Sequence, residues 1–375
     1  MKHIFILGGS KLQLDLIYEA KKMYFIVHLF DANNECIGKK YVDYFYHIDI
    51  KDKESILQKA QESNPEAVLT IATEVGNVTA CYVSEKLGLN SNSYQTSLNT
   101  SNKKLMKKLC VKNKIQTAGY KIVETYEELY DWNTFPSIVK PVDSSAGRGV
   151  SYVLTKKELE TSISKALSFS YCEEVAIEEY IPGKQYSIET ISSGGIHKIV
   201  AITEEYITEV PIIIETQQLI PARIDNEKKK KFETFAFEVL KAFDIQYGAC
   251  HIEIREDNDG KLYIVEIASR MGGWRSELIN FSLGISYCQL LLFSVLDKSI
   301  DFKSSRDDTA IVKMILSKDD FDEYLYFLEQ YKDNIISDLT LEKVYDSEHL
   351  ADSNGYYFIH TQDKSLLEIF IGEHC

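Results

Sequence analysis

The segment from Gly248 to Arg270, GACHIEIREDNDGKLYIVEIASR, constrains the chain more than any other. Asn258-Asp259-Gly260-Lys261 reads as a hairpin turn, because Asp-Gly accepts the positive φ that a type I′ connection demands. With Asp259 and Gly260 as a two-residue loop, Ile252 faces Ile267 and Ile254 faces Val265, which makes one face apolar throughout. On the other face Glu253 meets Glu266, and His251 meets Ala268. Opposed Cβ atoms lie ~5 Å apart, and like charges held so close destabilise a sheet. Such a pair requires a shared proton or a divalent cation between the carboxylates. The alternative is an exposed hairpin whose glutamates splay into solvent.

Around this hairpin the pattern is mixed α/β. In the first hundred residues, strands at His3–Leu7, Phe25–Phe30 and Glu66–Ile71 alternate with helices running to about Met23, over Lys53–Glu62 and over Val75–Leu87. That alternation implies βαβ units and a parallel sheet, with Gly8, Asp31 and Thr73-Glu74 beyond its carboxyl edge, where ligands sit. A helix follows from about Ser101 to Lys114. Thr125–Glu128 and Thr155–Glu158 match the capping box. Ser137–Pro141 and Val150–Leu154 form a strand pair, strands dominate from Glu174 to about Thr216, and Asp225–Phe243 is a long helix. The last seventy residues add Ala310–Leu316 as a strand, Asp319–Tyr331 as a helix, and two or three further strands.

At 375 residues, the chain has room for two or three domains of roughly 150 residues and needs no staple. Its formal net charge of −15 repels phosphate backbones and anionic membranes, which argues against nucleic acid and membrane as partners. Seven cysteines without a CxxC fit reduced thiols. With neither a signal peptide nor a membrane-length apolar run in the sequence, the expected location is cytoplasmic.

Two further segments bear on chemistry. In PSIVKPVDSSAGRGV, Pro136–Val150, a lysine ends an apolar strand ahead of a Ser/Gly loop. Lys140 would supply a point charge, and Ser144, Ser145, Gly147 and Gly149 would let backbone N–H groups approach phosphate oxygens. Taken alone, the segment reads equally as a flexible hairpin. In VAIEEYIPGKQYSIE, Val175–Glu189, a strand carrying Glu178, Tyr180 and Ile181 runs into a Pro-Gly turn that could present backbone groups to a base edge.

The order and spacing of these segments resemble the ATP-grasp superfamily over most of the chain, in particular its carboxylate–amine ligase and biotin carboxylase branches. The resemblance implies a Rossmann-like pre-ATP-grasp domain over residues 1–100 and an ATP-grasp fold of two α+β subdomains over 101–300. Residues 301–375 would be a C-terminal α/β extension that completes the module. Asn102-Lys103 resembles the Asp-Lys that opens the first nucleotide-binding helix, and Lys140 the second phosphate-binding lysine. Asp143–Gly149 resembles the loop over the phosphates. Ile177–Ile181 resembles the adenine-binding strand, with Glu178 and the backbone at Tyr180 and Ile181 holding the base. Gln185 stands where many members carry a ribose-binding glutamate. His251-Ile252-Glu253 and Glu266-Ile267-Ala268-Ser269-Arg270 resemble the two metal-binding strands, with Glu253 and Glu266 as ligands; the second usually reads E-x-N-x-R, but Ala268 replaces its asparagine and removes one magnesium ligand.

The implied cofactors are ATP and magnesium, with manganese as a substitute. The implied reaction phosphorylates a carboxylate and lets an amine displace the phosphate, with Arg270 stabilising the oxyanion. Trp274 and Arg275 in MGGWR are candidates to line the acceptor pocket, Arg275 by gripping a substrate carboxylate; the other reading is a turn with a packing tryptophan. Glu74 is a candidate to hold a substrate amine, against a capping or solvated role. Members are often dimers, so the resemblance also implies a homodimer. Carboxylase or kinase chemistry on the same fold, and a nucleotide-binding sensor with degenerate catalysis, are the rival readings. A dinucleotide oxidoreductase rests only on Gly8-Gly9 and Asp31 and leaves the glutamate hairpin unexplained.

Overall fold

A computed structural model of the protein describes residues 2–125, 128, 131–144, 147–341 and 343–372. The first strands are β1 (His3–Leu7), β2 (Ile26–Asp31), β3 (Tyr44–His47) and β4 (Ala67–Leu69); they form a parallel sheet in the order β3-β2-β1-β4. Helices α1 (Leu14–Lys22), α2 (Lys53–Ser63) and α3 (Glu74–Leu87) connect and cover it. β1 is apolar on every residue after His3 because both its faces are buried. Ile4 and Ile6 pack toward α1 and the rest of the molecule, whereas Phe5 and Leu7 pack with Ile56 of α2 and Val83 of α3.

The helix expected over 101–114 is α5 (Lys103–Asn113), and a further helix that the sequence reading did not expect, α4 (Tyr94–Ser101), precedes it, with extended Asn102 between them. Asn102 caps α5, its side chain accepting from the Leu105 N–H at 3.1 Å. Asn and Asp cap equally well, so the asparagine in the resemblance's Asp-Lys pair keeps Lys103 at the first helical position.

A second sheet, ordered β5-β8-β6-β7, comprises β5 (Tyr120–Val123), β6 (Ser137–Pro141), β7 (Ser151–Val153) and β8 (Val175–Glu179), with α6 (Lys156–Leu167) on one face. Ser137 pairs with Val153, the strand pair read from the sequence. At Thr155 the capping box forms only in part: Glu158 reaches back and accepts from the Leu154 N–H at 3.0 Å and from the Thr155 hydroxyl at 2.9 Å, but the Thr155 side chain does not cap the helix.

The third sheet has eight strands and carries the rest of the chain: β9 (Lys184–Ser193), β10 (Ile196–Ile207), β11 (Glu215–Ile220), β12 (Gly248–Glu256), β13 (Leu262–Ala268), β14 (Thr309–Ile315), β15 (Ile335–Ile336) and β16 (Gly355–Thr361). Its order is β13-β12-β9-β10-β11-β14-β16-β15, so the last seventy residues extend the same sheet. Helix α7 (Asn226–Ala242) buries Phe232, Ala236 and Val239 against Ile252, Ile254, Ile264 and Ile267, the apolar face of the hairpin. On the opposite face, α8 (Arg275–Leu283) and α9 (Tyr287–Val295) join the core shared with β1 and α1. Helix α10 (Lys318–Gln330) covers β14, and the short α11 (Leu367–Ile371) packs in the same cluster. Among the described residues, no single helix is long and apolar enough to cross a membrane.

Candidate functional site

The hairpin register holds where it matters, by a route the sequence did not suggest. Glu253 pairs with Glu266, Ile252 with Ile267 and His251 with Ala268, but Ile254 pairs with Ile264, not Val265. The loop is longer than two residues: the Asp257 N–H donates to Lys261 O at 3.0 Å, and Gly260 sits at φ +79°. This is a three-residue connection closed by a left-handed glycine. It shifts the pairing by one, and a bulge between Glu253 and Ile254 shifts it back.

The two glutamates face a cleft of about 1170 Å³, open mouth included, between the second and third sheets. Lys103, Lys140, Ser144, Gly147, Glu178, Tyr180, Ile181 and Gln185 line the same cleft, so most of the residues read from sequence converge. Lys103 Nζ lies 3.1 Å from Glu266 Oε2 and donates to Ser144 O at 3.0 Å, which ties the loop to the carboxylates. Burial would lower the Lys103 pKa, but the charge of Glu266 outweighs it and raises it. Gly147 and Gly149 have φ of +71° and +72°, and a Cβ on Gly149 would stand 3.0 Å from the Phe169 ring. Ser145 lies outside the described residues.

Glu178 is corrected by the structure. Its two oxygens take Lys107 Nζ and Lys140 Nζ, each at 2.8 Å, so the side chain holds lysines in place of a base edge. Burial alone would raise its pKa; the two lysines overcome this and hold it at about 2. Lys107 escaped the sequence reading. It lies one turn after Lys103 on α5 and its side chain is fully buried.

Three more carboxylates, Glu189, Glu205 and Glu215, were missed. Glu205 and Glu215 bring oxygens within 4.8 Å of one another and of Glu253, from three different strands. Burial, then the charges of Glu205 and Glu253, push Glu215 up to about 8. Glu253 moves the other way: burial opposes ionisation, but His251, Arg270 and Lys103 hold it at about 2. His251 Nε2 contacts Glu253 Oε1 at 3.1 Å, and its Nδ1 contacts Glu189, a fully buried carboxylate. Against the cost of burial, Glu189 raises His251 to about 10, so the imidazolium links the two glutamates.

The acceptor-side candidates fall elsewhere. Arg270 forms an ion pair with Glu74 at the N-terminus of α3, and its Nη1 donates to Met271 O at 3.0 Å. Trp274 lies at φ +59° ahead of α8, with its ring edge-on to Tyr356 at 5.4 Å. Arg275 is only 1% exposed and does not line the cleft. It lies 3.2 Å from Glu189 and 2.6 Å from Glu205, donates to Ser187 Oγ at 2.9 Å, and bonds Gln218. A side chain so engaged holds the protein's own carboxylates, which corrects the expectation that it grips a substrate.

The sequence profile of the ATP-grasp domain matches residues 133–277. A formate-dependent phosphoribosylglycinamide formyltransferase of Prochlorococcus marinus (strain MIT 9301) is 30% identical over 188 residues, 48% of this chain and 48% of that protein. A D-alanine–D-alanine ligase of Marinomonas sp. (strain MWYL1) is 21% identical over 42% of this chain and 51% of that protein. The chain thus spans about half the length of the curated relatives it matches. Among solved structures, an L-amino acid ligase from Bacillus licheniformis superposes with a TM-score of 0.84 at 22% identity, over 100% of this chain and 96% of that chain. A carboxyaminoimidazole ribonucleotide synthase from Aspergillus clavatus, complexed with ATP, gives 0.81 at 19% identity, over 99% and 96%. Likeness at that identity establishes a shared fold, and the profile match makes residues 133–277 an ATP-grasp domain.

Proposed function

We propose that the protein is an ATP-dependent carboxylate–amine ligase that joins small molecules, amino acids among them, through an acyl phosphate. The observation that carries this reading is the opposition of Glu253 and Glu266 in a cleft that also holds Lys103, Lys140 and a left-handed glycine loop. Carboxylate oxygens would form the donor set, which suits a hard divalent cation such as magnesium: Glu253 and its opposed Glu266 would hold it, and Glu205 and Glu215, whose oxygens lie within 4.8 Å of that of Glu253, offer further ligands where Ala268 lacks the asparagine's. Magnesium, when bound, supplies charge neutralisation along the β- and γ-phosphates.

The chain's own residues do the rest. Lys107 and Glu178 hold Lys140 against the phosphates, and Lys103 joins the covering loop to the metal carboxylates. The imidazolium of His251 fixes the Glu253 carboxylate from behind. The substrate ammonium would bind beside Glu74 and give it a proton before the free amine attacks the acyl phosphate; Arg270, released as Glu74 is neutralised, would then stabilise the oxyanion, whose collapse breaks the C–O bond and expels phosphate. The printed names of the relatives include a formate-dependent enzyme and a ligase of two amino acids, which supports a carboxylate as the acceptor.

The test is magnesium-dependent ADP release across a matrix of carboxylic acids, alone and with amines, with hydroxylamine as a trap. ADP that requires both substrates, together with a hydroxamate in the trap, is the expected result. ADP with one acceptor and no amide would move the function to kinase or carboxylase chemistry, and absence of ATP binding would overturn the reading.

A further inference from the structure

The sugar end of the cleft carries a cation that the ligase reading does not use. Arg255 follows Glu253 by two residues on β12, so both side chains leave the same face of the strand, and both line the cleft. Its neighbour across β9 is Gln185, and across β13 it is Tyr263. Its guanidinium carbon stands 5.0 Å from the ring centre of Tyr180, the residue at the turn where the second sheet hands over to the third. Arg255 therefore lies at the nucleoside end, while Lys103, Glu253 and Glu266 mark the phosphate end.

Two observations distinguish Arg255 from Gln185. The Gln185 amide is anchored at one end: Nε2 donates to Glu205 Oε2 at 2.9 Å, and Glu205 is itself held by Arg275 at 2.6 Å. Arg255 is only 9% exposed, yet it has no ion pair among the described residues. Nη2 donates to Gly183 O at a long 3.3 Å, and Nε has no partner. A buried guanidinium offers five N–H donors in a rigid fork, and donors left unfilled in a dry cleft favour a ligand with acceptor oxygens.

We infer that Arg255, and not Gln185, reads the sugar of the bound nucleotide, its guanidinium donating to the ribose 2′-hydroxyl oxygen. The inference rests on the nucleotide cleft of the ligase reading. The Tyr180 ring on one side holds the guanidinium plane, and a neutral hydroxyl accepts a charge-assisted hydrogen bond without bringing a further charge into the cleft. The neutral amide at 185 anchors Glu205 and leaves the donor role to its strand neighbour.

Calorimetric titration of the full chain with magnesium-ATP and magnesium-2′-deoxyATP tests this. The wild-type protein binds ATP about tenfold more tightly than the deoxynucleotide, the value of one charge-assisted hydrogen bond. Arg255→Met keeps the stem and removes the donors; it weakens ATP about tenfold, leaves 2′-deoxyATP unchanged, and brings the ratio to about one. In Gln185→Leu the ratio stays that of the wild type. Arg255→Met weakening both nucleotides equally would place the contact on a phosphate or the base and overturn the inference. Equal wild-type affinity for both nucleotides, or a ratio that collapses in Gln185→Leu alone, would overturn it as well, and each leaves the ligase reading standing. A wild-type protein that binds neither nucleotide would overturn the ligase reading itself, and the inference with it.

Discussion

The cleft wall and the layer behind it are built from the same kinds of residue and stabilised in opposite ways. At the wall, Glu253 and Glu266 face each other in register with Glu215 beside Glu253, and one cation, His251 or Lys103, stands against each of the opposed glutamates. Behind it, Arg275 and His251 are interleaved with Glu189 and Glu205, so that each buried charge meets an opposite one. Carboxylates in excess over their cations in a cleft leave room for a further cation; carboxylates matched one for one form a scaffold.

The largest effect should come from breaking the compensated layer. Arg275→Met strands Glu189 and Glu205, both fully buried, and should cost about 3–5 kcal/mol of stability by denaturant unfolding. A loss below about 1 kcal/mol would mean that the layer is not an ion-paired scaffold. The cleft wall should respond less. Glu266→Ala relieves the contact with Glu253 but takes a partner from Lys103, so stability should fall by less than in Arg275→Met while magnesium-dependent ATP binding is lost. Unchanged ATP affinity in that variant would sink the metal assignment.

Arg270 stands between the two regions, paired with Glu74 and within the field of Glu266 and Glu189. Arg270→Ala should lower turnover by about 10²–10³ while leaving ATP affinity largely intact, as expected for a group that acts on the oxyanion. Loss of ATP binding in proportion to turnover would return Arg270 to the nucleotide cleft.

Raising the pH separates the regions by sign. Glu215 is raised to about 8, so near pH 7 it retains a proton that metal binding must displace. Binding of magnesium-ATP at pH 7 should release up to about one proton, read from the buffer dependence of the calorimetric enthalpy, and affinity should climb until about pH 8. His251 is raised to about 10 from a usual value of 6.5, so its contribution to stability is complete below 6.5 and disappears as the pH rises through 10. Between pH 8 and 10 the cleft should hold its affinity while the scaffold loses stability. Glu189→Gln should abolish that loss, because without the carboxylate the imidazole has no reason to stay charged.

The same contrast explains what was legible in the sequence. Glu253 and Glu266 are joined by one hairpin, and alternation along two adjacent strands is enough to oppose them. Lys140 and the glycines after it are likewise neighbours in sequence. Glu205, Glu215 and Glu189 come from strands separated by turns and by a helix, so only the sheet order brings them to Glu253 and His251. Arg275 looked like a ligand residue because it follows two glycines, yet the start of α8 turns it inward. Lys107 did leave a signal, its four-residue spacing from Lys103, but the run KKLMKK contains lysines on several faces and does not say which one is buried.

The smallest prediction concerns how the register of the two metal carboxylates is secured. The loop offset at Gly260 and the bulge after Glu253 cancel, so either could be what sets the pairing. Nine consecutive pairs also join β12 to β9, from Gly248 opposite Ser192 to Glu256 opposite Lys184, and a one-residue slip would turn Ile252 and Ile267 out of the core. If the strands hold the register, the loop merely accommodates it. A Cβ at residue 260 would meet Lys231 Nζ at 3.6 Å and Glu256 Oε1 at 3.9 Å, ordinary contacts, so the cost is that of the positive φ alone. Gly260→Ala should therefore lose about 1 kcal/mol of stability with magnesium-ATP affinity unchanged. A fall in affinity beyond the stability loss would mean that the loop itself keeps Glu253 opposite Glu266.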